Sequence, residues 1–161
     1  MIIVSNTSPI SNLAKVGQLS LMQKIYEEIL IPCAVHEELL DQRAGETVVT
    51  AVRSATWLKV HSVQNQQLVT ELRTRVNIGE AEAIALAVEI GANPLLIDER
   101  LGRQAAKEYG LKITGVLGIL LLAKRQSLIK AVAPIMDDLV NQASFRVSSQ
   151  LYKEVLAIAN E

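Results

Sequence analysis

Residues 93–126, with the sequence NPLLIDERLGRQAAKEYGLKITGVLGILLLAKRQ, decide the fold of this chain. The short runs Leu95–Ile97 and Lys112–Thr114 indicate two strands, each followed by a stretch with the residue spacing of a helix, at Leu101–Tyr109 and Val116–Arg125. Two strands that alternate with helices through short turns predict a right-handed parallel crossover.

The same alternation extends over the rest of the sequence. Ile2–Ser5 predicts a buried strand, and the next helix is predicted to have Ser8 as N-cap and Pro9 at its first position. EILIP, residues 28–32, indicates a second strand, and WLKVHSV, residues 57–63, indicates a third strand at a sheet edge. We therefore predict an α/β fold in which helices cover both faces of a parallel sheet. It forms a single domain over residues 1–161, with a helical tail from about residue 129.

Composition and charge exclude several classes of protein. The net charge of −1 and the pI of about 6.2 argue against a chain that binds nucleic acid through overall positive charge. The single cysteine excludes an intrachain disulfide and a cysteine-cluster zinc site. The first residues lack the pattern of a signal peptide, and the most apolar later run, GVLGILLLA, is too short to cross a bilayer. We expect a soluble cytoplasmic protein without a membrane partner.

Oxygen-bearing side chains follow or flank the predicted strands. In open parallel sheets, ligands bind beyond the carboxyl ends of the strands. Asn6 ends the first strand, Glu38 follows the second, Glu80 begins the helix before LLID, and Asp98 ends LLI. Carboxylates without histidine or cysteine favour a hard cation, Mg²⁺ or Mn²⁺. Such an ion lowers the pKa of water and stabilises a phosphoryl transition state, so the pattern predicts metal-dependent phosphoryl chemistry.

Each of these acids also has a structural interpretation. Asp98 can be the N-cap of the helix that follows it, and Glu80 can be an ordinary first-turn acid. One of Glu37 and Glu38 is expected to face solvent. Glu82, two residues beyond Glu80, is the alternative ligand.

Basic residues follow the last of these acids. Arg100 and Arg103, with Lys107 one turn further, either bind substrate phosphates or form a solvated helix face. The glycine motifs of dinucleotide-binding and P-loop proteins are absent, which excludes those two classes.

Five segments in this order resemble the PIN-domain family, in particular its branch related to VapC-type toxin ribonucleases. They are IIVSNTSPI, IPCAVHEEL, IGEAEAIALA, LLIDERLGRQAAKEYGLKITGVLGILLLAK and FRVS, which together span nearly the whole chain. The resemblance implies a three-layer α/β/α fold and Mg²⁺- or Mn²⁺-dependent endoribonuclease chemistry. It places the metal-binding positions of the family on Asn6, Glu38, Glu80 and Asp98. Thr7 and Ser8 match the supporting hydroxyl pair.

Asn6 is the departure from the family pattern, because most members have aspartate at this position. The amide oxygen can still coordinate a hard cation, and the amide NH₂ can donate to a neighbouring carboxylate such as Asp98. The first hypothesis is an endoribonuclease with Asp98, Glu80 and Glu38 as catalytic residues. It would act as the toxin of a type II toxin–antitoxin pair and be neutralised by a small antitoxin protein. The alternative is a catalytically weak or inactive PIN-like protein that binds RNA or protein.

The C-terminal tail carries apolar residues at helical spacing, namely Leu151, Val155, Leu156 and Ala159. This stripe is broader than a helix with one buried face needs. It predicts either self-association or antitoxin docking, with capping of the sheet as the plain alternative.

Overall fold

A computed structural model describes all 161 residues of the chain. Its centre is a sheet of five strands, all parallel, in the order β3-β2-β1-β4-β5. The strands are β1 (Val4–Ser5), β2 (Ile29–Ile31), β3 (Leu58–Val60), β4 (Leu95–Leu96) and β5 (Ile113–Thr114). The predicted edge position of the third strand is confirmed, because β3 pairs with β2 alone.

Ten α-helices surround the sheet. They are α1 (Thr7–Lys15), α2 (Ser20–Tyr26), α3 (Cys33–Leu40), α4 (Glu46–Ser54), α5 (Gln66–Leu72), α6 (Ile78–Ile90), α7 (Arg100–Glu108), α8 (Val116–Arg125), α9 (Ala133–Gln142) and α10 (Ser149–Ile158). A short 3₁₀ helix spans Gln42–Ala44. None of the helices combines the length and the apolar character needed to cross a membrane.

Two separate hydrophobic cores lie on the two faces of the sheet. Successive strand residues alternate between them: Leu96 belongs to a core of 26 buried residues, while Leu95 and Ile97 belong to a core of 17. The larger core includes residues from α1 to α4 and from α8 to α10, and the smaller one includes residues from α5, α6 and α7. A parallel sheet buried on both faces explains why these strands read as continuous apolar runs. The three-layer α/β/α fold is confirmed.

The junction between β1 and α1 differs from the prediction. The strand is confined to Val4–Ser5, and the N-cap of α1 is Asn6 rather than Ser8. The chain turns at Asn6, whose backbone N–H donates to Leu96 O at 2.8 Å and whose ψ of 174° is still extended. Pro9 consequently lies inside the first helical turn, where a missing backbone N–H costs no intrahelical bond.

The predicted helical tail forms α9 and α10, with a break between them at residues 143–148. Its end is fixed by Glu161, whose carboxylate accepts from the backbone N–H of Val132 at 2.7 Å and of Ala133 at 3.1 Å. Lys124 Nζ donates to the same carboxylate at 2.9 Å. The tail is thereby tied to α8 and to the start of α9.

Candidate active site at the carboxyl edge of the sheet

The sheet order places the switch of chain direction beside β1. From β1 the chain progresses through β2 to β3 on one side, and then returns to form β4 and β5 on the other side. Such a switch point opens a crevice at the carboxyl ends of the two central strands, where ligands of α/β proteins bind. Asn6 follows β1, and Asp98 and Glu99 follow β4, so all three lie at this crevice.

Asn6 follows β1 directly and is only 2% exposed. Its Nδ2 donates to Glu99 Oε2 at 3.0 Å, so the acceptor is Glu99 and not Asp98. The Ser8 hydroxyl donates to the other oxygen of the same carboxylate. Asn6 Oδ1 is buried and has no hydrogen-bond partner.

Glu99 is therefore a candidate site residue that the sequence did not single out. It is the N-cap residue of α7, with extended backbone angles (φ −62°, ψ 136°), and this conformation separates its side chain from the helix that follows. The available signal was the presence of two consecutive acids, Asp98 and Glu99, after an apolar strand.

Asp98 does not cap α7, contrary to the structural interpretation of the sequence. Its Oδ1 accepts from the backbone N–H of Val116 at 3.1 Å, at the first residue of α8, while Oδ2 is buried without a partner. Burial raises the pKa of Asp98 to about 6. The Val116 N–H opposes this shift, the charge of Glu99 adds to it, and the charge of Arg103 counteracts it.

Glu80 is held by the capping of α6. Asn77 Oδ1 accepts from the Glu80 backbone N–H at 2.9 Å, and Asn77 Nδ2 donates to Glu80 Oε1 at 2.9 Å. This reciprocal pair fixes a side chain that is only 6% exposed. Burial, followed by the charges of Glu99 and Glu38, raises the pKa of Glu80 to about 7. The carboxylates of Glu99 and Glu38 are thus near enough to Glu80 to disfavour its charged form.

Glu38 is half-buried on α3 and its neighbour Glu37 is exposed, so Glu37 is the one of the two that faces solvent. The Thr7 hydroxyl donates to Glu38 Oε2. Space for this carboxylate comes from Gly79, where an added Cβ would lie 2.5 Å from Glu38 Oε1.

Glu82, the alternative ligand, has a different role. Its Oε1 accepts from the backbone N–H of Ala34 at 3.0 Å, within the first turn of α3. It thereby satisfies a donor at a helix start and couples α6 to the helix that carries Glu38.

Arginines flank the acids on two sides. A cavity of about 520 Å³ is lined by Arg73, Arg75 and Arg100 together with Glu80 and Glu99. Arg100 also borders a second, larger cavity with Arg103, whereas Lys107 is exposed on α7 and lines neither cavity.

The donor atoms at the crevice fit a hard divalent cation in their chemistry. All are oxygens, and two of them, Asn6 Oδ1 and Asp98 Oδ2, are buried without any partner. Each of the four carboxylates accepts at least one hydrogen bond from the protein, and no three His, Cys, Asp or Glu side chains are grouped closely enough to hold a metal ion. The oxygens available to a cation are thus those of Asn6 and Asp98, with Glu80 and Glu99 beside them.

A family model described as a PIN domain matches residues 2–161. The chain belongs to the PIN-domain family. The predicted resemblance is confirmed at this level, and the crevice described above lies within a nuclease-like PIN fold. Relationship to the VapC-type branch remains a prediction. A comparison with curated proteins gives no match.

Proposed function

We propose that this PIN-domain protein is an Mg²⁺- or Mn²⁺-dependent endoribonuclease. The observation that supports the proposal is that Asn6, Asp98 and Glu99 follow the two central strands at the switch point of the sheet, with Asn6 Oδ1 and Asp98 Oδ2 buried and without a partner. Glu38 and Glu80, which the sequence also indicated, lie nearby, since the charges of Glu99 and Glu38 contribute to the raised pKa of Glu80.

The side chains of the crevice have two roles in this proposal: some would hold a cation, and one would transfer protons. Asp98, Glu80 and Asn6 would hold the ion together with Glu38 or Glu99. When bound, a divalent cation supplies positive charge to the phosphoryl group and lowers the pKa of water. Glu80 has a pKa of about 7 and can accept or release a proton near neutral pH.

Two kinds of residue support this arrangement. The Thr7 and Ser8 hydroxyls orient Glu38 and Glu99, respectively. Arg100 and Arg103 follow the acids on α7 and form no ion pair with the protein. Their guanidinium groups are free to bind RNA phosphates, for which charge-assisted hydrogen bonds are well suited.

We further propose that the protein is a cytoplasmic toxin neutralised by a small antitoxin protein, and that it forms a homodimer. Helix α10 leaves apolar surface uncovered, with Leu151 41% exposed and Ile158 62% exposed, whereas Val155 is buried. Light scattering of the purified protein tests the dimer. A monomer at micromolar concentration, unchanged by deletion of residues 148–161, would exclude it.

A second candidate function is a catalytically weak or inactive PIN protein that binds RNA or another protein. The hydrogen bonds from Asn6 and Ser8 to Glu99 favour it, because they hold the acid cluster together without a cation.

Cleavage of an unstructured RNA in Mn²⁺, Mg²⁺ and EDTA distinguishes the two functions. For the nuclease, Asp98→Asn and Glu80→Gln should each lower Mn²⁺-dependent cleavage on the order of 100-fold or more while the protein stays folded. Glu71→Gln, at an exposed acid of α5 that lines neither cavity, is the matched control. Cleavage that survives both Asp98→Asn and EDTA would contradict the proposal.

A further inference from the structure

A groove begins at the acid cluster and extends along α8 towards α10. It has a volume of about 1000 Å³, and Asp98 and Glu99 line it together with Leu117 and Leu121, which lie one turn apart on α8. Leu151 of α10 contributes apolar surface. We name this cavity the α8–α10 groove. Its size is at the upper end of ordinary ligand pockets, roughly 300–1000 Å³, so it can hold a nucleotide.

The charges in the α8–α10 groove favour an anionic ligand. Arg100, Arg103 and Arg146 all line it, and none of them forms an ion pair within the protein. The two acids of the lining are Asp98 and Glu99, which belong to the proposed catalytic cluster. Outside that cluster, the ionic side chains of the groove are therefore all positive.

Phe145 is the aromatic residue of the groove and the single phenylalanine of the chain. The ring is partly buried against the larger hydrophobic core. Its backbone N–H donates to Leu139 O at 3.0 Å, which fixes the segment between α9 and α10. A ring held in this way loses little entropy when a planar ligand stacks on it, and every nucleobase offers a planar face.

We propose that the α8–α10 groove is a nucleotide-binding subsite for an unpaired RNA strand. A base next to the scissile phosphodiester stacks on Phe145, and an adjacent phosphate binds Arg103 or Arg146. The strand must be unpaired, because a base within an A-form duplex is stacked on its neighbours and cannot present its face to a side chain. The subsite rests on the proposed function, since the acid cluster is taken as the place of cleavage.

Binding of a fluorescent, unstructured RNA oligonucleotide in Ca²⁺ buffer, with the RNA recovered intact, tests the subsite. Phe145→Leu keeps an apolar side chain but removes the ring face, and should raise Kd about tenfold, since stacking on an aromatic side chain is worth roughly 1–3 kcal/mol per base. Tyr109→Leu is the matched control, because Tyr109 is an exposed aromatic residue at the end of α7 and outside the groove. Its Kd should stay within about twofold of the wild type, as surface changes remote from a site do.

The arginine contact has its own pair of variants. Arg146→Gln should weaken binding severalfold and reduce the dependence of Kd on salt concentration, as expected for the loss of a phosphate contact. Arg53→Gln, at an exposed and unpaired arginine of α4, should change neither.

A direct readout comes from photo-crosslinking with 5-iodouridine in the same oligonucleotide. Mass spectrometry should locate the crosslink on the peptide that contains Phe145. Unchanged binding by Phe145→Leu, a crosslink that lies elsewhere, equal affinity for the annealed duplex, or binding of an apolar peptide in place of RNA would each overturn the subsite.

Mn²⁺-dependent cleavage by the wild type, measured alongside, separates the two proposals. Cleavage that persists while Phe145→Leu binds normally removes the subsite alone. Binding that depends on Phe145 without any Mn²⁺-dependent cleavage removes the nuclease and leaves the groove as the RNA site of a binding protein.

Discussion

The side-chain amide of Asn6 donates to the carboxylate of Glu99 over 3.0 Å, although the two residues are 93 positions apart in the chain. An aspartate at position 6 would oppose this carboxylate with a second negative charge. A neutral amide supplies a donor instead, and its own oxygen remains unpartnered and available. When no cation is bound, Asn6 thus stabilises a crowded group of acids.

Asn6→Asp should lower the stability of the metal-free protein at neutral pH by about 1–3 kcal/mol, because it removes a buried hydrogen bond and adds like-charge repulsion. Added Mn²⁺ should restore the melting temperature and should bind more tightly than to the wild type. Thermal melts in EDTA and in Mn²⁺ measure both effects. Asn141→Asp, at an exposed residue of α9, is the control. Unchanged melting in EDTA would show that the amide has no stabilising role.

The stability of the metal-free protein should fall as pH rises from about 4 to about 7. The pKa of Asp98 rises from 3.8 to about 6 on folding, and that of Glu80 rises from 4.5 to about 7. An acid whose pKa is higher in the folded state binds more protons there than in the unfolded state. Its contribution to stability is complete below the pKa of the unfolded state and is lost as the pH rises to the pKa of the folded state.

Urea unfolding between pH 4 and pH 8 measures this loss. Glu80→Gln should flatten the part of the curve between pH 4.5 and 7, by about 3.5 kcal/mol at most, since one pKa unit corresponds to about 1.4 kcal/mol. Mn²⁺ should add more stability at pH 8 than at pH 5. A wild-type curve that rises over this range would contradict the assigned pKa shifts.

Glu80 and Glu82 should respond differently to the same substitution. Glu82→Gln keeps an oxygen that accepts from Ala34 N–H, so cleavage should stay within a few-fold of the wild type and stability should change by about 1 kcal/mol or less. Glu80→Gln should abolish Mn²⁺-dependent cleavage. Measurements of cleavage rate and melting temperature for both variants test this difference. If Glu82→Gln proves the more damaging change, the ligand assignment on α6 is wrong.

Gly79→Ala should separate activity from stability. The new Cβ would lie 2.5 Å from Glu38 Oε1, so the carboxylate must move away from the Thr7 hydroxyl. Alanine has the higher helix propensity, by about 1 kcal/mol, and the displaced group is the end of a flexible side chain. Melting temperature should therefore hold or rise while cleavage falls. Equal cleavage by both proteins would remove Glu38 from the site.

The sequence was sufficient for the fold class, although not for the strand order, because its signals are local and repeated. Val116–Arg125 was predicted with its observed bounds, and Gly91 closes α6 in the left-handed conformation (φ 67°) that a glycine cap predicts. Apolar strands buried on both faces leave few alternatives to a helix-covered parallel sheet. Asn6, Glu80 and Asp98 became candidates because they lie at strand ends or at a helix start, and their role in a site stays a prediction.

The direction of side chains in the turns could not be predicted from the spacing of residues in the sequence. Asp98 and Glu99 are adjacent between β4 and α7, in a segment too short to have a period. The backbone angles there send one carboxylate to the start of α8 and the other to Asn6. The hydrogen bond from the Ala34 backbone N–H to Glu82 could not be predicted from the sequence either, because it depends on how α3 and α6 pack against each other.

The separation of 93 residues between Asn6 and Glu99, and of 91 between Ser8 and Glu99, also bears on the order of events during folding. Closing a loop of this length costs entropy before the contact is gained, so we expect these contacts to form after the local helices. A growing polypeptide on the ribosome cannot assemble the crevice until β4 and the start of α7 have emerged. Under the proposed nuclease function, a chain that ends before α7 should therefore cleave no RNA.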